Sequence, residues 1–196
     1  PGELNLPPVA GAVLENFPQE VEAAVSVCKY MAFGPLYNGS VRFKDYAVMA
    51  DSLFFQTLGI EVLRGDPLHE LQQKDVVFLS DRLAQKMFGD EDTVGKVINY
   101  DKQLQLPVKG IYAALPENST MNPEAVISIV SAWSRDWAEY SWEGGDSFFQ
   151  YIRFRPGVKV DVEKFNARLE TVIHNYLPQD GKDNSSYTSI VKPLRD

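Results

Sequence analysis

Between Asp75 and Gly89 the chain changes its hydrophobic period within one residue. Asp75 to Leu79 is an apolar run of strand length, Ser80 follows at once, and Leu83, Ala84, Met87 and Phe88 then recur at helical spacing up to Gly89. A serine there accepts a hydrogen bond from a backbone N–H of the first helical turn, and a glycine past the last turn supplies the left-handed C-terminal residue. A strand that feeds straight into a capped helix lays that helix across a sheet, because each element has an apolar side to bury. The chain is thereby committed to layers of helix and sheet.

The remaining elements follow from period and punctuation. Asn5 is placed to cap a helix with Pro7 and Pro8 in its first turn and Val9, Val13, Leu14 and Phe17 on one face, stopped by Pro18. From Val21 the pattern alternates, with Val21, Ala23, Val25 and Val27 on one side and Glu20, Glu22, Ser26 and Cys28 on the other, which predicts a half-buried strand. Asn38-Gly39 predicts a two-residue hairpin turn, with Val41, Phe43 and the run Tyr46 to Met49 available to pair around and after it. Asp51-Ser52 begins a short helix through Phe54, Phe55 and Leu58 that Gly59 ends, and Ile60 to Leu63 reads as a strand broken by Gly65. Lys96 to Tyr100 and Leu104 to Leu115 read as strands around Asp101-Lys102, with Pro107 confining its part of the second to an edge or bulge.

Ala125 to Val130 and Phe148 to Phe154 are further strands, the second with Phe148, Gln150, Ile152 and Phe154 on one face. Asp161 caps the clearest helix, where Val162, Phe165, Leu169, Val172, Ile173 and Tyr176 keep helical spacing until Leu177-Pro178. A polar loop, Gln179 to Ser186, and a final strand, Tyr187 to Val191, complete the chain. The order predicts an α+β domain whose outer segments enclose an inserted middle lobe.

Composition excludes several function classes. With 44% apolar residues in 196 the chain fills a real core, and its net charge of −8, with no basic cluster along the sequence to offset it, repels a nucleic-acid backbone. The single cysteine, Cys28, forms no internal disulfide and leaves the redox compartment open. No stretch approaches the ~18 apolar residues that cross a bilayer. The start at Pro1-Gly2 without methionine and the end at Asp196 suit a segment of a longer protein.

No constellation for catalysis, a cofactor or a metal stands out. Val94-Gly95-Lys96 lacks the upstream glycine and following hydroxyl of a phosphate loop, and Asp90-Glu91-Asp92 with Asp101 lacks the alternating ligands and central glycine of a calcium loop, leaving a solvated turn as the better reading. His69 and His174 are far apart with no ligand pattern, and Cys28 has no companion for a thiol nucleophile. Trp133, Trp137 and Tyr140 fall at helical spacing with Trp142 close behind. They either form an exposed aromatic surface for a hydrophobic cargo or partner protein, or pack between lobes.

Asp51-Ser52-Leu53-Phe54-Phe55, then Leu58-Gly59-Ile60 and Leu63-Arg64-Gly65-Asp66, resemble a block of the MacB-like periplasmic core domains of FtsX-like ABC transporter permeases, here of the Bacteroidetes type. Val77-Phe78-Leu79-Ser80, Leu83-Ala84, Met87 to Asp92 and Val94-Gly95-Lys96 resemble that family's next block, with Thr93 in place of the usual proline. Val108 to Tyr112, Pro116, Asn118-Ser119 and the closing Val191 to Asp196 continue the similarity in order, most densely from 51 to 120.

The resemblance implies a two-lobed domain, with a porter-like α/β lobe built from 1–50 and 119–196 and an inserted sabre-like lobe from 51–118. It also implies a place in the periplasm, between two transmembrane helices of a permease in the bacterial inner membrane. The implied partners are a cytoplasmic ABC ATPase that holds the ATP, a second permease subunit in a homo- or heterodimer, and a periplasmic adaptor or cargo protein. On this reading the domain has no catalysis of its own and couples ATP hydrolysis to periplasmic work such as export or extraction of a substrate. The alternative is a freestanding periplasmic ligand-binding or enzymatic domain with an interlobe cleft, which the acidic surface and the tryptophan cluster motivate.

Overall fold

Val77–Ser80 is a strand and Asp81–Phe88 a helix, joined as the sequence predicts: the Ser80 hydroxyl accepts the Leu83 N–H at 2.9 Å. The computed structural model describes residues 6–29, 34–44, 46–116, 118–119, 121–143, 148–177 and 190–194. In chain order the elements are α1 (Val9–Asn16), β1 (Val21–Cys28), β2 (Leu36–Asn38), β3 (Val41–Phe43), β4 (Ala47–Ala50), α2 (Phe54–Leu58), β5 (Val62–Arg64), α3 (Pro67–Glu70), β6 (Val77–Ser80), α4 (Asp81–Phe88), β7 (Val97–Tyr100), β8 (Leu104–Tyr112), β9 (Ala125–Ser128), α5 (Val130–Trp133), β10 (Phe149–Phe154) and α6 (Val162–Tyr176). Among the described residues the strands form one mixed sheet in the order β10-β1-β4-β9-β6-β8-β7-β2-β3, with β5 also paired to β8.

The long strand β8 joins the two ends of this sheet. Its first half, Leu104 to Pro107, pairs antiparallel with Tyr100 to Val97 of β7, and its second half, Val108 to Tyr112, pairs parallel with β6. Val108 donates its N–H to the Lys96 carbonyl at 2.8 Å on the β7 side. Alternation then turns the Pro107 nitrogen to the opposite edge, just before the β6 pairing begins, so the missing donor breaks no ladder bond.

Burial divides into three apolar clusters. Val77, Leu79, Leu83, Ile98, Leu106 and Ile127 belong to the first, on the α4 side of the sheet; Val48, Phe54, Phe55, Phe78, Tyr112 and Val126 belong to the second, around α2 on the other side. The third joins α1 and α6 over the β1–β10 edge through Val13, Phe17, Phe165 and Leu169, with the Phe17 and Phe165 rings 4.6 Å apart. The central strands β4, β6 and β9 are therefore covered on both faces, which is why they read as continuous apolar runs.

Several sequence expectations change. β1 is buried on both faces, not half-buried, because α1 and α6 cover one side and α2 the other. Its register shifts between Val21 and Ala23, and this bulge moves Val21 to the cluster of Ala24 while Val25 and Val27 join the opposite one. The hairpin turn is one residue later than expected: Asn38 pairs with Val41, so Gly39 (φ +58°) and Ser40 form it. β4 leaves the hairpin and pairs with β1 and β9. Gly89 has φ +61° but ψ −135°, outside the left-handed helical region.

Val130, expected at a strand end, opens α5, and Val162 and Tyr176 on α6 are exposed while Phe165, Leu169 and Ile173 carry the buried face. α3, which the sequence reading missed, is announced by Asp66-Pro67: the Asp66 carboxylate accepts the Leu68 N–H at 3.1 Å, and proline fills the first turn. Asn5, the loop 179–186 and residues 187–189 of the expected last strand lie outside the described residues; Ile190 and Val191 are not in a strand, and Val191 instead donates to Asn166 Oδ1 at 2.9 Å. Among the described residues no helix is long and apolar enough to cross a membrane.

Where β5 crosses β8, the chain turns at Gly65 (φ +94°) directly over Lys109 and Gly110. A methyl at Gly110 would overlap the Phe78 ring and come within 2.5 Å of the Arg64 carbonyl oxygen. Gly110→Ala is expected to destabilise the fold by about 1–3 kcal/mol, the usual cost of overpacking a filled core, read as a lower urea midpoint with an unchanged slope.

Candidate functional site

The aromatic segment after β9 is shaped by an early helix stop. Asp136 takes φ +55°, the Trp137 N–H reaches back to the Ala132 carbonyl at 3.0 Å and the Asp136 N–H to Trp133 O at 3.4 Å, a Schellman closure with aspartate where glycine is usual. The helical spacing of Trp133, Trp137 and Tyr140 therefore does not put them on one helix. Trp133 and Trp137 are half-buried against the first core cluster. Tyr140 packs edge-on to Trp133, with centroids 5.2 Å apart, and is 54% exposed. Trp142 crosses to α6 and stacks on Tyr176 at 4.9 Å with an interplanar angle of 10°. The Tyr176 hydroxyl in turn donates to Glu15 at 2.8 Å, so Trp142 is tied through it to α1.

Arg135 holds this segment to the sheet. It pairs with Asp75 at 2.8 Å, donates to the Ser131 carbonyl at 3.1 Å and lies 5.7 Å from the centre of the Trp137 ring. The Trp133 indole nitrogen is buried and has no hydrogen-bond partner among the described residues. Tyr140 also approaches α1 closely: its hydroxyl lies 2.9 Å from where a Cβ on Gly11 would stand. Burial, and then the charge of Asp51, push that hydroxyl's pKa up.

Asp51 joins β4 to α2. Its carboxylate accepts the N–H of Leu53 at 2.9 Å and, more weakly, that of Ser26 at 3.4 Å. Burial outweighs both donors and raises its pKa from 3.8 to about 6. The folded state thus holds the proton more tightly than the unfolded chain. Stability is expected to fall as pH rises from about 4 to about 6, and the penalty is complete above that window. Asp51→Asn, which keeps an acceptor for Leu53 and does not ionise, should gain stability relative to the wild type between urea titrations at about pH 4 and about pH 7; a constant difference would contradict this.

A second polar group closes the end of β6. Ser80 Oγ donates to Glu124, whose other carboxylate oxygen takes the Arg82 guanidinium, with Nε at 2.9 Å. Tyr112, fully buried beside them, donates to the Pro123 carbonyl at 2.7 Å. The sequence showed Ser80 as a cap but not its partner, because Glu124 is 44 residues away.

On the opposite side of the sheet a groove of about 420 Å³ is lined by Phe55, Ile60, Val62 and Leu68 with Glu22 and Arg153. Arg153 is engaged there, by Glu22 at 3.4 Å and by the Gln56 carbonyl at 2.9 Å.

The remaining sequence candidates are separated. Cys28 is buried at the end of β1. His69 caps back onto Asp66 at 2.5 Å on α3, and His174 stands on α6. In the acidic turn, Asp92 pairs with Arg64 at 2.7 Å and Glu91 with Lys96, so the lysine of Val94-Gly95-Lys96 serves that turn. Among the described residues no group of three or more His, Cys, Asp or Glu comes together to hold a metal.

The sequence profile of the MacB-like periplasmic core domain matches residues 2–172. The chain belongs to that family. A domain described as part of a permease from Porphyromonas gingivalis superposes on this MacB-like core domain with a TM-score of 0.74, at 22% identity over 91% of this chain and 74% of that one. The periplasmic region of MacB from Actinobacillus actinomycetemcomitans gives 0.66 at 16% identity, covering 87% and 76%. The extracellular domain of the noncanonic ABC-type transporter YknZ from Gram-positive bacteria gives 0.64 at 11% identity, covering 89% and 85%. At these identities the likeness is one of fold. No curated protein matches the chain. In this MacB-like core domain Thr93 is buried in the turn between α4 and β7.

Proposed function

We propose that this domain is the extracytoplasmic lever of an ABC-type permease in the bacterial inner membrane, moved by a cytoplasmic ATPase and performing no chemistry of its own. Membership in the MacB-like periplasmic core domain family carries the reading. The architecture supports it: one hydrogen-bonded sheet runs from β10 to β3, so force applied at one end has a continuous path to the other.

The two lobes are 1–50 with 119–196, porter-like, and 51–118, sabre-like. The hairpin β2–β3 comes from the first segment yet pairs with β7 of the inserted one, and so stitches the lobes together. The permease works as a dimer with its ATPase and exports or extracts a substrate with a periplasmic adaptor or cargo protein. Trp133, Trp137, Tyr140 and Trp142 are the proposed contact surface, of which Tyr140 is the accessible tip.

Spin labels test the lever. Cys28 is fully buried, so cysteines placed at the exposed positions Arg42 on β3 and Thr171 on α6 take the label selectively. In the full-length permease assembled with its ATPase in a bilayer, the Arg42–Thr171 distance within one domain should stay constant when ATP is trapped, while the Thr171 distance between the two subunits changes. No change between subunits would sink the lever.

The groove at Glu22 and Arg153 favours a second reading, a ligand-binding domain. Saturable thermal stabilisation by a small molecule, lost in Arg153→Ala, would support it against the lever.

A further inference from the structure

Val158, Val162, Ile190 and Leu194 are 37%, 40%, 62% and 60% exposed. Val158 and Val162 flank the start of α6, and Ile190 and Leu194 belong to the segment that Val191 fastens to that helix. Val158 lies in the turn that follows β10, and Val162 opens the helix. Asn166 stands one turn further on the same face and accepts the Val191 N–H at 2.9 Å, which fastens Val191, the chain neighbour of Ile190 and Lys192, to that turn.

The rim of this patch is basic. Between Arg155 and Arg168 there are four basic residues against two carboxylates, in a chain whose net charge is −8. Asp161 is already engaged, accepting the Lys164 N–H at 3.2 Å as helix cap and pairing with its Nζ at 3.1 Å. Glu20, on the adjoining turn before β1, is engaged by Arg168. Glu163 in the first turn of α6 is the exposed carboxylate that remains. The Arg155 side chain donates to the Pro18 carbonyl at 2.8 Å, and among the described residues Arg155, Lys159 and Lys192 make no ion pair.

Exposed aliphatic side chains ringed by long cations are what the interface of an anionic bilayer takes: the aliphatic groups enter the headgroup boundary, and lysine and arginine stems reach up to the phosphates. A second copy of the chain docked by the same patch would set like charges face to face. The acidic remainder of the molecule opposes approach only weakly, since at ~0.1 M salt charges more than about 10 Å from the surface are screened.

We infer that the Val158–Lys164 turn and the segment 190–194 form a docking surface for an anionic phospholipid bilayer, which fixes how the domain sits on a membrane. The inference goes beyond the permease reading, and its test needs neither a membrane span nor an ATPase.

The chain is sedimented with vesicles of equal parts phosphatidylglycerol and phosphatidylcholine, with vesicles of phosphatidylcholine alone, and without vesicles. Binding is expected on the anionic vesicles only, weakening as salt is raised. Lys159→Glu with Lys192→Glu should lower partitioning about tenfold or more, since each cation near such a surface contributes about fivefold. Val158→Ser with Val162→Ser should lower it while leaving the salt dependence in place. Lys74→Glu, exposed before β6 and four strands away from β10, should change it less than about twofold.

Failure to bind anionic vesicles overturns the inference, as does equal binding to phosphatidylcholine or an equal loss in Lys74→Glu. So does a dimer in the vesicle-free run that the Lys159/Lys192 variant dissolves, or capture of an acidic protein partner through the same residues with no vesicle binding. None of these outcomes moves the spin-label distances that test the lever.

Discussion

Four residues, Val77 to Ser80, are paired on both edges and covered on both faces, and the rest of the structure is arranged around that fact. Their backbone groups are satisfied by β8 on one side and β9 on the other, so both neighbours must be in register before β6 can be buried. Alternation sends Val77 and Leu79 into the α4 cluster and Phe78 into the α2 cluster, which makes the strand the partition between the two largest parts of the core. At its end Ser80 stops the strand, caps α4 and donates to Glu124 ahead of β9. A single hydroxyl thus couples strand, helix and the next strand of the sheet.

This dependence makes the sheet continuous. β8 is shared between the α2-side and hairpin-side halves of the sheet, and no free linker interrupts the ladder from β10 to β3 among the described residues. Polar pairs form the joints: Arg82 with Glu124, Arg135 with Asp75, Arg153 with Glu22 and with the Gln56 carbonyl. Each ties a loop or helix to the sheet. Among the described residues these joints and the sheet make one continuously hydrogen-bonded body from β10 to β3.

The surface is divided in a way that suits such a body. One end carries the aromatic segment, fastened by Arg135 and by the Trp142–Tyr176 stack, with Tyr140 projecting. The start of α6 carries aliphatic side chains with a basic rim, in contrast to the acidic character of the whole chain. Asp51 lies between core and aromatic segment, where its raised pKa links the protonation of one buried carboxyl to the stability of the region.

The sequence by itself determined the elements whose signals are local. Ser80 and Asp161 cap the helices predicted for them, Gly59 closes α2 with φ +68°, and the apolar runs at Val77, Ala125 and Phe149 are strands, because hydrogen bonds a few residues apart and side-chain period are written directly in residue order. Its family blocks were equally legible. Tertiary structure alone decided what depends on partners distant in the chain: the bulge that splits Val21 from Val25, the burial of both faces of β1, the pairing of Ser80 with Glu124, and the meeting of Val191 with Asn166 of α6. The aromatic residues show the division most clearly. Their spacing was readable, but one aspartate in the left-handed region ended the helix and sent them to different neighbours, since a helical period predicts a shared face only while the helix continues.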